Sequence, residues 1–185
     1  MTSDRILLER AKRCDEAALG ELYDQYAPRI YAYIYRRVRD AHRAEDLTGD
    51  VFVRVLKAIQ SERFWQTSFS AWLYRIAHNL VVDHYRRHPA VNDLMLDEEL
   101  ATVEDDPSLT VARRLSDQQL GVALRHLTPE QQEVLALRFG EGMTVREVAE
   151  VTEKTVGAIE ALQHRALAAL RRILDKEYDE ERRPI

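Results

Sequence analysis

The chain contains one cysteine, Cys14. A single thiol cannot form an internal disulfide or a paired-cysteine metal site, and this scarcity fits a reducing compartment. Cys14 itself reads as a small apolar residue on a helix. Long uncharged apolar runs are also missing, so no membrane insertion is expected. The opening "MTSDRILLERAKRCDE" is charged throughout and lacks the apolar core of a secretion signal, which points to a cytoplasmic protein. Strand-like alternation and internal repeats are not evident. His84 and His88 stand four residues apart, but no third ligand accompanies them. A metal site is therefore not expected, and no cofactor is called for.

What is present is helical periodicity. The 185 residues, 45% hydrophobic and 32% charged, suffice for one domain or two small ones. The net charge of −5 is unevenly spread. Residues 1–90 carry 15 Lys+Arg against 12 Asp+Glu, residues 91–127 carry 3 against 8, and residues 128–185 carry 9 against 12. A basic N-terminal part is thus followed by an acidic middle.

Apolar positions recur at helical spacing in four places. Residues 15–39 repeat at Leu19, Leu22, Tyr23, Tyr26, Ile30, Tyr33, Ile34 and Val38, with Pro28 expected to bend or restart the helix. Residues 42–60 repeat at Leu47, Val51, Val55 and Ile59. Residues 69–87 repeat at Leu73, Ile76, Ala77, Leu80 and Val81, and a further helix is expected over 109–127. Between them, "NDLMLDEELATVEDDP" holds seven acidic residues and no basic one, and reads as a linker. The expected fold is all-α: two small helical domains joined by an acidic linker. The boundaries are 1–88, linker 89–108, second domain 109–175 and a charged, fraying tail 176–185.

Local signals place a helix-turn-helix in the second domain. Thr128 with Gln131, and Thr144 with Glu147, are capping boxes, and Pro129 sits at the first helical position. A short capped helix from Thr144, the turn "TEK" and a long helix capped by Thr155 complete the pattern over residues 144–172. The second helix of such a unit enters the major groove. Lys154, Thr155, Glu160, Gln163, His164 and Arg165 are its candidate DNA-reading residues. Glu160 suits acceptance of a hydrogen bond from cytosine N4. Residues 128–172 hold six basic and seven acidic residues, so this unit needs help to hold DNA.

The first domain supplies a different surface. "FSAWLYRIAHNLVVDHYRRH" mixes an apolar face with the rings of Phe69, Trp72, Tyr74 and Tyr85 and the cations of Arg75, Arg86 and Arg87. Rings that stack on unpaired bases, together with arginines that track a backbone, suit single-stranded DNA, and Asn79 adds a hydrogen-bonding group. Upstream, Asp46, Asp50 and Arg54 lie at helical spacing opposite the apolar row, a docking face for a basic partner helix.

Taken together, these motifs resemble the extracytoplasmic-function group of bacterial sigma-70-type sigma factors. "AEDLTGDVFVRVLKAI" is similar to that family's region 2.1–2.2, "FSAWLYRIAHNLVVDHYRRH" to its region 2.3–2.4, and "LTPEQQEVLALRFGEGMTVREVAEVTEKTVGAIEALQHRALAALRRIL" to its region 4. The resemblance implies a non-enzymatic promoter-specificity subunit of RNA polymerase. It implies that Asp46, Asp50 and Arg54 dock on the core enzyme. Phe64, Trp65, Trp72, Arg75, Asn79, Arg86 and Arg87 would open and hold the −10 element, and the helix after Thr155 would read the −35 element. An anti-sigma factor is implied as a further partner. The alternative is a ligand-responsive helix-turn-helix repressor, which would need its own dimerisation helices. The aromatic and arginine set of residues 69–87 argues against it.

Overall fold

The computed structural model describes residues 2–61, 68–88 and 120–181. The expected linker 89–108, the start of the expected helix 109–127, and Phe64 and Trp65 lie outside the described residues. Among those described there is no strand. The chain divides into two compact units, Met1–Leu96 and Asp97–Ile185.

Unit 1 contains α1 (Thr2–Lys12), α2 (Glu16–Val38), α3 (Ala41–Gln60) and α4 (Phe69–Arg87). Each of the last three starts at a short polar residue. The side chains of Asp15, Asp40 and Ser68 accept from the backbone amides of Ala18, Arg43 and Ala71, capping otherwise unsatisfied donors. Pro28 does not restart α2, which runs through it as one helix. Most of the periodic positions converge on a common core of α2, α3 and α4, but Tyr23, expected among them, is 50% exposed. Leu22, Ile30, Tyr33 and Ile34, then Leu47, Val51, Val55 and Ile59, then Leu73, Tyr74, Ala77, Leu80 and Val81 are all buried. Tyr33 and Tyr74 meet edge-to-face with centroids 5.1 Å apart, a geometry favoured by the ring quadrupoles.

Residues 2–12 form a helix, and Cys14, expected on a helix, is not on one. It is exposed, at φ 59°, in the break between α1 and α2. The Arg10 guanidinium closes this break by bonding the Asp15 carboxylate through Nε at 2.9 Å and Nη2 at 3.2 Å. That hydrogen bond holds the Asp15 carboxyl below its ordinary pKa.

The described residues of unit 2 form α5 (residues 120–125), α6 (Pro129–Leu135), a π-helical turn (Ala136–Gly140), α7 (Val145–Thr152) and α8 (Val156–Glu181). Both expected capping boxes are present. The Gln132 amide donates to the carbonyls of Leu124 and Leu127, satisfying the end of α5. Ala123, Leu127, Leu135, Ala166 and Leu170 form a core cluster joining α5, α6 and α8. α8 continues through Glu181, into the charged tail expected from residue 176.

Gly49 sits on the exposed side of α3, where a Cβ would meet nothing within 4 Å. Glycine there carries only its entropic penalty. Gly49→Ala is expected to raise the stability of unit 1 by about 0.5–1 kcal/mol. Thermal unfolding of the two proteins checks this, and an unchanged or lower midpoint counts against it.

Candidate polymerase and DNA interfaces

The face of α3 opposite the core is set by its 3.6-residue period. With Leu47, Val51 and Val55 buried, Asp46, Asp50 and Arg54 are all exposed. Asp46 makes only a 3.9 Å ion pair with Arg43. Val53, 46% exposed, lies between the acidic pair and Arg54. A charged face interrupted by an apolar side chain can dock a helix through charge and contact together.

On α4 the helical period sorts the mixed stretch "FSAWLYRIAHNLVVDHYRRH". Phe69 and Tyr74 are core residues, 3% and 0% exposed, so neither ring stacks on a base. Tyr85 donates its hydroxyl proton to the Arg37 carbonyl on α2, and burial pushes its phenol above the ordinary pKa. The stacking set expected from composition therefore contracts to Trp72, which is half-buried against Phe69 at 6.0 Å between centroids. Trp72, Arg75, Asn79 and Arg86 follow one another at spacings of three, four and seven and share one side of α4. Arg75 and Arg86 are exposed and Asn79 is half-buried. Behind this stripe the Tyr33 hydroxyl and His78 Nδ1 are 3.3 Å apart, joining α2 to the middle of α4. Arg87 is exposed beside the stripe, and both Arg86 and Arg87 reach Asp83 at 4.0 Å.

In unit 2, α7, the turn at Glu153 and α8 form the expected helix-turn-helix. Glu153 takes the left-handed conformation that ends α7, and its amide donates to the Ala149 carbonyl. Thr155 caps α8 by accepting from the Ala158 amide at 3.2 Å. Ile159, Leu162 and Ala166 are buried, which leaves Glu160, His164 and Arg165 exposed. Two candidates have partners within the unit. Lys154 pairs with Glu130 of α6 at 2.8 Å, and Gln163 accepts from Arg138 Nε at 3.0 Å. Arg138 belongs to the π-helical turn and also donates to the Met143 carbonyl, so it ties that turn to α8. Sequence reasoning misses Arg138: its partner is 25 positions away and no local pattern marks the pair.

Among the described residues no group of three or more His, Cys, Asp or Glu side chains could hold a metal. No helix among them is long and apolar enough to cross a membrane.

Comparison with known proteins places both units. Residues 22–90 match the family model for Sigma-70 region 2, and residues 123–172 match that for Sigma-70, region 4. The chain is 43% identical over 172 residues to the ECF RNA polymerase sigma factor BldN of Streptomyces coelicolor, covering 91% of this chain and 64% of that protein. It is 31% identical to the RNA polymerase sigma factor YlaC of Bacillus subtilis, covering 89% of this chain and 96% of the relative. The solved structure of CnrH in complex with the cytosolic domain of CnrY is 27% identical, with a TM-score of 0.61 over 94% of this chain and 97% of that one.

Proposed function

Because the chain belongs to the extracytoplasmic-function group of the sigma-70 family of RNA polymerase sigma factors, we propose that it directs core polymerase to a specific set of promoters and helps open their −10 element. It does so without catalysing a reaction itself, in the cytoplasm where polymerase and chromosome meet. One observation carries the reading: a region 2 unit and a helix-turn-helix unit occur in one chain, each presenting its own candidate contact faces. The repressor alternative has no use for unit 1, whose family match covers residues 22–90.

In this reading the face of Asp46, Asp50 and Arg54 docks on core polymerase. The α4 stripe receives the −10 element as it opens. Trp72 offers an indole edge, Arg75 and Arg86 offer charge for the backbone, and Asn79 offers both a donor and an acceptor. Phe64 and Trp65 belong to the same proposed −10 contact. Exposed Glu160, His164 and Arg165 lead the −35 contact, with Lys154, Thr155 and Gln163 beside them. Glu160 suits cytosine N4 in the major groove. Unit 2 carries a net negative charge, with 12 Lys+Arg against 19 Asp+Glu over residues 97–185, and docking of unit 1 on polymerase compensates by raising the local concentration of unit 2 at the promoter. An anti-sigma protein belongs to the same reading as a partner that withholds the chain from polymerase.

The test is run-off transcription with core polymerase on genomic promoter fragments. Discrete initiation that depends on the added chain is expected; none would end the sigma reading. On the fragments so found, Arg75→Ala with Asn79→Ala is expected to slow open-complex formation about tenfold or more. That corresponds to the loss of about 1.4 kcal/mol or more, the scale of a hydrogen bond to a charged group. The same variant should be impaired much less on templates mismatched across the −10 element. Equal impairment on both templates would move Arg75 and Asn79 from melting to docking or folding.

A further inference from the structure

The N-terminal part of α8 is tied twice to the segment that precedes α7. At its entrance, Lys154 pairs with Glu130 of α6 at 2.8 Å. Further along, Arg138 of the π-helical turn donates through Nε to Gln163 Oε1 at 3.0 Å. The two ties bracket residues 155–162, the stretch that holds Thr155 and Glu160. The core cluster joining α8 to α5 and α6 lies beyond them, at Ala166 and Leu170. A helix held by an apolar stripe alone can roll or slide on its support, because the hydrophobic effect is non-directional. Hydrogen bonds are directional, so ties at two points fix its angle.

Arg138 works from a fixed base. Its Nη1 donates to the carbonyl of Met143, a buried residue. The turn around it closes through the Glu141 amide on the Ala136 carbonyl at 3.0 Å and the Met143 amide on the Leu137 carbonyl at 3.1 Å. Leu137, one residue before Arg138, is fully buried. π-Helical turns are rare and recur at functional sites. Among the described residues, the partners of the Arg138 guanidinium are a carbonyl, an amide oxygen and the Phe139 ring, whose centroid is 5.9 Å from Cζ. None is a carboxylate, so this arginine supplies directed donors and not charge neutralisation.

Gln163 is placed for the same task. It follows Ile159 by four residues and precedes Ala166 and Leu170 by three and seven, and all three are buried. The helical period therefore sets half-buried Gln163 at the edge of the packed face, while Glu160, His164 and Arg165 are exposed. A guanidinium only donates, so the Gln163 atom facing it is the oxygen. The bidentate contact by which glutamine reads adenine needs oxygen and nitrogen on one base edge, and here the oxygen is turned to Arg138.

We propose that Arg138 and Gln163 are positioning residues: their bond fixes the angle at which α8 meets the −35 element, and Gln163 acts through Arg138 without reading a base. This inference rests on the sigma reading above.

The test uses holoenzyme reconstituted from the full chain and core polymerase, on promoter fragments that it transcribes. Binding is measured against salt, and base preference by selection from a library randomised across the −35 element. Arg138→Met and Gln163→Leu each break the bond. Each should weaken binding roughly fivefold to tenfold, the scale of a hydrogen bond to a charged group. Preference should relax at several −35 positions together, because a changed angle moves every reading side chain. The double variant should lose no more than either single, since both remove the same bond. Gln163→Glu keeps an acceptor for Arg138 and discards the amide donors. It should retain the wild-type preference at every position, a rescue that general destabilisation of unit 2 does not produce. A preference changed at one position in Gln163→Glu makes Gln163 a base reader and overturns the proposal. A salt slope smaller by about 0.9 in Arg138→Met makes Arg138 a phosphate contact and does the same. Losses that add in the double variant, or binding and preference unchanged in both singles, overturn it as well. If Arg138→Met fails to fold, Gln163→Glu, which keeps the bond, still decides between the two roles of Gln163. If no fragment supports transcription, the sigma reading itself fails, a result distinct from all of these.

Discussion

Core polymerase should bind the double variant Asp46→Arg, Asp50→Arg roughly a hundredfold more weakly than the unaltered chain. Both carboxylates are exposed on the face of α3 that points away from Leu47, Val51 and Val55. If that face meets a basic helix, reversing two charges replaces attraction with repulsion. Like charges juxtaposed across an interface cost several kcal/mol, and about 3 kcal/mol corresponds to the stated change in Kd. The internal cost is small. Asp46 gives up a 3.9 Å exposed pair with Arg43, and exposed pairs contribute at most about 1 kcal/mol. Far-ultraviolet dichroism should therefore be unchanged while capture on immobilised core polymerase falls. Capture equal to wild type would remove α3 from the polymerase interface.

Ile159→Ala is expected to have the largest effect on stability. Ile159 is fully buried at the start of α8, one residue before Glu160. Truncating such a side chain costs about 2–5 kcal/mol, because the forfeited transfer energy is joined by the cavity left behind. For a small helical unit this is a large part of the total stability. Because the chain forms two separate compact units, the damage should stay in unit 2. Binding to core polymerase through unit 1 should persist, while protection of the −35 element disappears. Unfolding of unit 2 should shift down by several degrees or cease to show a transition. A destabilisation below about 1 kcal/mol, well short of the range for a buried isoleucine, would contradict the burial assigned to Ile159.

Legibility follows the range of the interactions. The capping boxes of Thr128 with Gln131 and Thr144 with Glu147 span three residues, and both are readable from the chain alone. The row Leu47, Val51, Val55 and Ile59 needs only the helical period, and it is buried as expected. The aromatic residues of α4 are harder. Phe69, Trp72 and Tyr74 look alike in composition, yet the packing of α2 decides that Phe69 and Tyr74 are enclosed and Trp72 is not. Cys14 defeats a helical reading because the helix cap at Asp15 places it at the preceding break, where the backbone is left-handed.

By itself, the sequence determined the helical class, the helix-turn-helix and the family, because periodicity, caps and ordered motifs are properties of neighbouring residues. The tertiary structure alone decided which side chains are offered to a partner. Arg138 is tied to Gln163, Lys154 to Glu130, and Tyr85 to the Arg37 carbonyl, over separations of 25, 24 and 48 residues. Such pairings arise only when helices pack, since packing brings distant donors and acceptors within about 3 Å, the range where a hydrogen bond forms.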